Sequence, residues 1–186
     1  MQSNANDTIN HIPWVTSKLT GYFFLAEPLI INASPDVVWS IVKDVEKYHD
    51  YSKGCLTASL PHGELKVDNA IHLVLYEGKP VGHFIPASME KITVVDDQKH
   101  ILAWQRPAPF HSGNTECYRV LKPVDDGKKT ILYLALKIPG SAGFFTSALL
   151  KKRIEHAFNE VNEGIKAAAE QKQLEINTIN TIKPTK

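Results

Sequence analysis

The chain has 186 residues, 43% hydrophobic and 22% charged, the size and balance of one globular domain with a substantial core. Lys and Arg number 21 against 20 Asp and Glu, a net charge of +1, so no overall field steers the protein to nucleic acid or to an anionic membrane. Two distant cysteines, Cys55 and Cys117, show no metal-ligand spacing and read as reduced thiols.

Residues 1–19 form a polar lead-in, and its opening MQSNANDTINH lacks the basic start of a signal peptide. GYFFLA is cut off by Glu27 and Pro28, far short of a membrane span. The protein is expected in the cytoplasm, with no integral membrane segment. GYFFLAEPLIINA, residues 21–33, is rich in aromatic and β-branched side chains and predicts a strand. Pro28 cannot donate to a ladder, which places that strand on an edge or a bulge at that point. Ser34 offers a capping hydroxyl and Pro35 suits a first helical turn, so a short helix is expected over about 35–43. Val37, Val38, Trp39, Ile41 and Val42 make it apolar nearly all round, so it should be enclosed on more than one side, with Trp39 structural. Asp44 is placed to cap a second short turn, VEKYHDY, ending before Gly54.

Short strands are expected near 56–61, 70–77, 81–95, 99–106, 115–123 and 129–138. EGKP (77–80) and DDGKK (125–129) read as hairpin turns, and RPAPFHSG (106–113) as a longer loop. With the first strand this gives seven, mostly hairpin-joined and so antiparallel. After IPGSAG, the residues Leu150, Ile154, Phe158, Val161, Ile165 and Ala168 recur at steps of three or four. They form one apolar stripe on an amphipathic helix about 45 Å long. Gly164 within it marks close packing or a bend. Residues 173–186 carry no packing face and are expected to be a disordered tail, which leaves one domain over 20–172.

The order of elements and the stretch INASPDVVWSIVKDVEKYHDY (31–51) resemble the START-related (SRPBCC) superfamily. There the first strand ends in a small-residue, Ser/Pro, acidic run followed by Val-Trp, then an Asp and an aromatic cluster, here Asp44, Tyr48 and Tyr51. HILAWQ resembles its central strand and VLKPVDDGKKTILYLAL its last hairpin. The superfamily includes birch-pollen-allergen-like, polyketide cyclase/dehydrase-like and coenzyme Q-binding proteins. Tyr51 stands where relatives often have Trp, and Lys129-Thr130 where they have Gly-Thr, so no subfamily is assigned. The resemblance implies an α+β helix-grip fold. A seven-stranded curved antiparallel sheet, with two short helices after its first strand, would carry a long C-terminal helix over its concave face. A cavity between sheet and helix would take a hydrophobic ligand.

Alternation on the last strand puts Leu132, Leu134 and Leu136 on one face, the expected interior, and Ile131, Tyr133 and Lys137 on the other. A two-residue loop at Asp126-Gly127 pairs 121 with 132 and 119 with 134, which turns Cys117 and Arg119 inward; a loop one residue longer turns Tyr118 and Val120 inward instead. An unpaired buried Arg is costly, and that favours Tyr118. Trp104 and Arg106 share a face with Leu102 and offer a stacking wall and an anchor for an anion or carbonyl. Tyr48 and Tyr51 fall near the expected mouth, and Phe145 and Leu149 open the long helix after PGSAG, a segment free enough for a gate. The ligand-binding set is therefore Tyr48, Tyr51, Phe84, Trp104, Arg106, Tyr118, Leu134, Phe145 and Leu149. His72 and His83 would lie about 7–8 Å apart on one face of a hairpin closed by EGKP, but no third ligand is visible, so no metal and no cofactor is expected.

The expected partner is a small hydrophobic molecule such as a lipid, quinone or polyketide-like ring, bound and passed on, with no nucleic acid. The alternatives are a cyclase, aromatase or dehydratase working in the same cavity, and a protein-interaction module with a filled core. No catalytic residue is assigned.

Overall fold

The structure, a computed structural model, describes residues 22–75, 89–107, 113–138 and 140–182. The first predicted strand is present in two pieces, β1 (Tyr22–Leu25) and β2 (Leu29–Ile31), both antiparallel to β8 (Lys129–Ile138). Leu25 faces Ala135 and Leu29 faces Leu132, so three residues (26–28) stand opposite two (133 and 134). That extra residue is the expected bulge, and it lets Pro28, which has no N–H, sit outside the ladder. The Ala26 N–H still reaches the Leu134 carbonyl (3.2 Å), and that of Glu27 reaches Asn159 Oδ1 (3.3 Å).

Helix α1 (Pro35–Lys43) follows directly, with Pro35 in its first turn and Val38, Trp39 and Val42 buried. The Ser34 hydroxyl makes no capping bond; instead the Ser34 N–H donates to Gln173 Oε1 at 3.0 Å. Trp39 is structural: its ring is buried while its indole N–H donates to Asp97 Oδ1 (2.7 Å), which also holds Lys43 Nζ (2.6 Å). A 3-10 turn (Val45–Lys47) leads into α2 (Tyr48–Tyr51). Asp44 occupies the N-cap position of this turn and its carbonyl accepts from the Lys47 N–H (3.1 Å), but its carboxylate makes no capping bond and holds Lys47 Nζ at 2.8 Å instead.

The remaining strands are β3 (Cys55–Ser59), β4 (Ala70–Leu75), β5 (Glu90–Asp96), β6 (Ile101–Pro107) and β7 (Asn114–Val124). The order across the sheet is β1-β8-β7-β6-β5-β4-β3, with β2 beside β8 below β1, and every pairing is antiparallel. Counting β1 and β2 as one bulged strand gives the seven expected. The early part of the 81–95 strand, the EGKP turn and His83 lie outside the described residues.

Helix α3 spans Gly140–Ile182, well beyond the expected end near 172, so residues 173–182 are helical rather than disordered. It packs against α1, α2, β1, β2 and β8. Its buried stripe is Ile154, Ala157, Phe158, Val161, Ile165 and Ala169; the last buried position is Ala169, one residue beyond the expected Ala168. Gly164 marks close packing: a Cβ there would stand 2.6 Å from the Tyr51 carbonyl oxygen. One apolar cluster lies between the sheet's inner face and the helices, and a smaller one, with Ile101, Ala103, Tyr118, Val120, Tyr133 and Ala135, lies on the outer face. The architecture is the helix-grip α+β fold that the sequence implies. No helix among the described residues is long and apolar enough to cross a membrane.

Candidate functional site

Alternation decides what each strand sends inward. β8 contributes Leu132, Leu134 and Leu136, as predicted, and β6 contributes Leu102 and Trp104. The β7–β8 register pairs Leu121 with Leu132 and Arg119 with Leu134, so Cys117, Arg119 and Leu121 face inward while Tyr118 and Val120 join the outer cluster. The expectation that Tyr118 lies inside is thus overturned. Pairing runs to Val124 and Lys129 and closes through a 125–128 turn in which Asp125, Asp126 and Gly127 have φ of 55°, 52° and 78°. Turn residues that accept positive φ set the register, and the register outweighs the cost of burying Arg119. On the outer face the Tyr118 hydroxyl donates to Glu116, which also lies 3.6 Å from Lys137 Nζ.

Arg119 is 2% exposed. Its guanidinium carbon lies 4.7 Å from the centre of the Tyr48 ring and 5.2 Å from that of Trp104, and its Nη1 donates to the Tyr48 hydroxyl at 2.8 Å. That hydroxyl donates in turn to the Val42 carbonyl. Taking a cation out of water costs several kcal/mol. Each desolvated ring face offsets about 2 kcal/mol and a hydrogen bond to a charged group about 1.5–3 kcal/mol. The charge is therefore largely accommodated, yet Arg119 Nε is buried with no partner among the described residues. Asn162, on α3 and 1% exposed, likewise has both carboxamide atoms unpartnered among the described residues.

A second polar group sits where β5 meets β6. Arg106 Nη1 lies 3.4 Å from the buried carboxylate of Glu90. Burial raises the Glu90 pKa, while Arg106 and the Trp104 indole pull it down. The close ion pair and the raised pKa point opposite ways; burial wins, because Arg106 keeps part of its own side chain in solvent and is screened there. The Tyr48 hydroxyl is pushed up to about 12 by burial, against the pull of Arg119. Burial likewise pushes the thiols of Cys55 to about 11 and Cys117 to about 12, so neither is a thiolate nucleophile at neutral pH.

Of the residues singled out in the sequence, Tyr48, Trp104 and Leu134 come together around Arg119, and Tyr51 lies beside Tyr48 with ring centres 6.0 Å apart and the rings tilted by 57°. Tyr48 is fully buried rather than at a rim, and Tyr51 is half-buried with its hydroxyl 3.3 Å from the Ile41 carbonyl. Arg106 is drawn to Glu90 instead of Arg119. Phe84 lies outside the described residues, as do the side chains of Phe145 and Leu149. Sequence reasoning missed Glu90 and Asn162. Glu90 would have emerged only from the register of β5 against β6; Asn162 follows Val161 on the helix stripe, where a polar residue is itself a signal.

Residues 26–170 match the family of polyketide cyclase / dehydrase and lipid transport proteins. No curated protein sequence matches the chain. Several solved structures share the fold. TTHA0849 from Thermus thermophilus is 19% identical, with 79% of this chain and 96% of that one covered and a TM-score of 0.60. A hypothetical protein from Helicobacter pylori is 14% identical over 85% of this chain and 91% of its own, with a TM-score of 0.62. A point mutant of norcoclaurine synthase from Thalictrum flavum, solved with a transition-state analogue, is 11% identical over 83% and 98%, with a TM-score of 0.58. At such identities the likeness is one of fold.

Proposed function

Because the chain belongs to the polyketide cyclase/dehydrase and lipid transport family, and with it to the START-related superfamily its sequence resembles, we propose that it binds and carries a small hydrophobic molecule between the sheet's inner face and α3. One observation carries the reading. Leu102, Leu121, Leu132, Leu134, Trp104 and Tyr48 belong to one apolar cluster, yet Arg119 stands buried against Tyr48 and Trp104 with its Nε unpartnered among the described residues, and Asn162, buried on α3, has both carboxamide atoms likewise unpartnered. A core built for stability alone satisfies such atoms. Apolar walls with a few convergent polar groups are the make-up of a small-molecule site.

The ligand class is a lipid, a quinone or a polyketide-like ring. Trp104, Tyr48, Tyr51 and Leu134 form the wall, Arg106 stands toward one end, and Phe84, Phe145 and Leu149 belong to the same set from the sequence. Native mass spectrometry of the protein purified from its own host should show a retained apolar molecule. A clean apo mass, with no uptake of fatty-acid, quinone or flavonoid probes, overturns the reading. With a bound ligand in hand, Trp104→Ala should weaken affinity about tenfold, the effect of roughly 1.4 kcal/mol of lost contact.

A second reading, a cyclase or dehydratase, is favoured by Glu90. A buried carboxyl with a raised pKa, beside Arg106, is suited to general acid work on a carbonyl-rich substrate. Turnover of a poly-β-keto probe by the wild type, lost in Glu90→Gln, would establish it.

A further inference from the structure

We propose that Arg119 anchors an anionic head group, and that the hydrophobic ligand is an amphiphile bearing a carboxylate. This rests on the ligand-binding reading above and adds the ligand's charge to it. Among the described residues no carboxylate lies within ion-pair distance of Arg119: Glu90 is taken by Arg106, and Glu116 sits on the outer face with Tyr118 and Lys137. The guanidinium has two planar faces and a fork of donors, and its surroundings use them unequally. The rings of Tyr48 and Trp104 attend it within cation–π range, and Nη1 is held by the Tyr48 hydroxyl. Because that hydroxyl gives its own proton to the Val42 carbonyl, it offers Nη1 a lone pair and fixes the guanidinium by one corner.

What remains is the opposite edge, Nε with Nη2. Nε is buried with no hydrogen-bond partner among the described residues, while Nη1 is the nitrogen that Tyr48 holds. Two parallel N–H groups on this edge are the donor pair that a carboxylate takes bidentately. A quinone or sterol would leave the positive charge uncompensated, and a cationic ligand would be repelled by it. A phosphate would bring more charge than one guanidinium balances, and Arg106 on the neighbouring strand is engaged by Glu90. One unit of positive charge and one two-donor edge, set among leucines and aromatic rings, match a carboxylic acid with an apolar body.

The test is a series of three probes with one chain length and different heads: dodecanoate, dodecanol and dodecylammonium. They are titrated into the full chain at neutral pH by calorimetry, with wild type and Arg119→Met. Wild type should bind dodecanoate at least about tenfold more tightly than dodecanol, the worth of one charge-assisted pair, and dodecylammonium most weakly. In Arg119→Met, shown folded by circular dichroism, the ratio of carboxylate to alcohol affinity should fall to about one. Equal binding of dodecanoate and dodecanol by the wild type, or an intact preference in the folded variant, overturns the anchor while leaving the ligand-binding reading standing. If Arg119→Met does not fold, the order of the three heads on the wild type alone decides. If no probe binds, the carboxylate anchor falls, and the ligand-binding reading is decided by the native mass and the quinone and flavonoid probes.

Discussion

Tyr48 joins three parts of the fold through one oxygen. It accepts from Arg119 on β7, donates to the carbonyl of Val42 on α1, and is itself carried on α2. Tyr48→Phe keeps the ring and removes both bonds. Each buried partner left unpaired costs about 1–3 kcal/mol, so the unfolding free energy from a urea titration should fall by an amount in that range or above; an unchanged value would mean that water satisfies both groups. Glu90 calls for a different measurement. Its folded pKa is raised, so the folded state holds the proton more tightly than the unfolded chain does. The stability this contributes is fully present below the unfolded carboxylate pKa, about 4.3, and is lost as pH rises through the higher folded value. Glu90→Gln should flatten that part of the stability–pH curve and gain on the wild type at neutral pH. A variant that loses stability at neutral pH would show the pair with Arg106 to be worth more than burial costs. Both residues also mark the limit of what could be read beforehand. Strand parity narrows the interior of β7 to Tyr118 or Arg119, but the choice hangs on one residue of turn length, and burial cost argues for the wrong one. Rings brought in from α2 and β6 make a buried guanidinium tolerable, and no local pattern records their approach.

Two glycines govern how the short helices meet the long one. A Cβ at Gly54 would stand 2.5 Å from the Ala157 carbonyl oxygen, and one at Gly164 would stand 2.6 Å from the Tyr51 carbonyl oxygen and 2.9 Å from Ser52 Cβ. Ser52 Oγ donates to the Glu160 carbonyl at 3.1 Å in the same contact. Backbone cannot yield as a flexible side chain can, so Gly164→Ala should destabilise by about 1–3 kcal/mol through overpacking, despite the roughly 1 kcal/mol that Ala gains over Gly in a helix. A gain in thermal midpoint would mean the two segments separate freely. The sequence flags Gly164 by its place in the stripe but cannot identify what it touches. The end of α3 shows the opposite failure. Residues 174–181 are mostly exposed and present no packing face, which is why they read as disordered. Their helix is held locally, by Gln171–Glu175 (3.0 Å), Gln173–Asn177 (3.1 Å) and the hydroxyls of Thr178 and Thr181 on carbonyls four residues back. Extending an existing helix costs no new nucleus. Deleting 175–186 should therefore reduce the helical signal yet shift stability by no more than about 0.5 kcal/mol, since Gln173 with its bond to Ser34 is kept.

At the scale of the whole molecule, the order of elements was legible because each carries its own signal: a Pro-interrupted strand, Ser-Pro at a helix start, an Asp-Gly hairpin, a stripe at helical spacing. The meeting of their faces was not, because a site between sheet and helix is made of residues far apart in the chain, such as Tyr48, Trp104 and Arg119. Such a site also governs global stability. A core in which polar atoms of Arg119 and Asn162 find no partner among the described residues lacks part of the stabilisation that complete pairing would give, and a ligand that supplies such partners stabilises the folded state alone. By linkage, a ligand at a hundredfold its dissociation constant adds about 2.7 kcal/mol. For a domain of this length that corresponds to a rise of about 5–10 °C in the melting midpoint. Dodecanoate should produce such a rise in the wild type and a smaller one in Trp104→Ala at the same concentration, if the indole is one wall of the proposed site. A rise of equal size in both proteins would place the bound molecule elsewhere on the fold. No rise in either, at concentrations that saturate carboxylate-binding proteins, would overturn the carboxylate anchor; if quinone and flavonoid probes also gave no rise, the core between sheet and α3 would be read as filled by its own side chains.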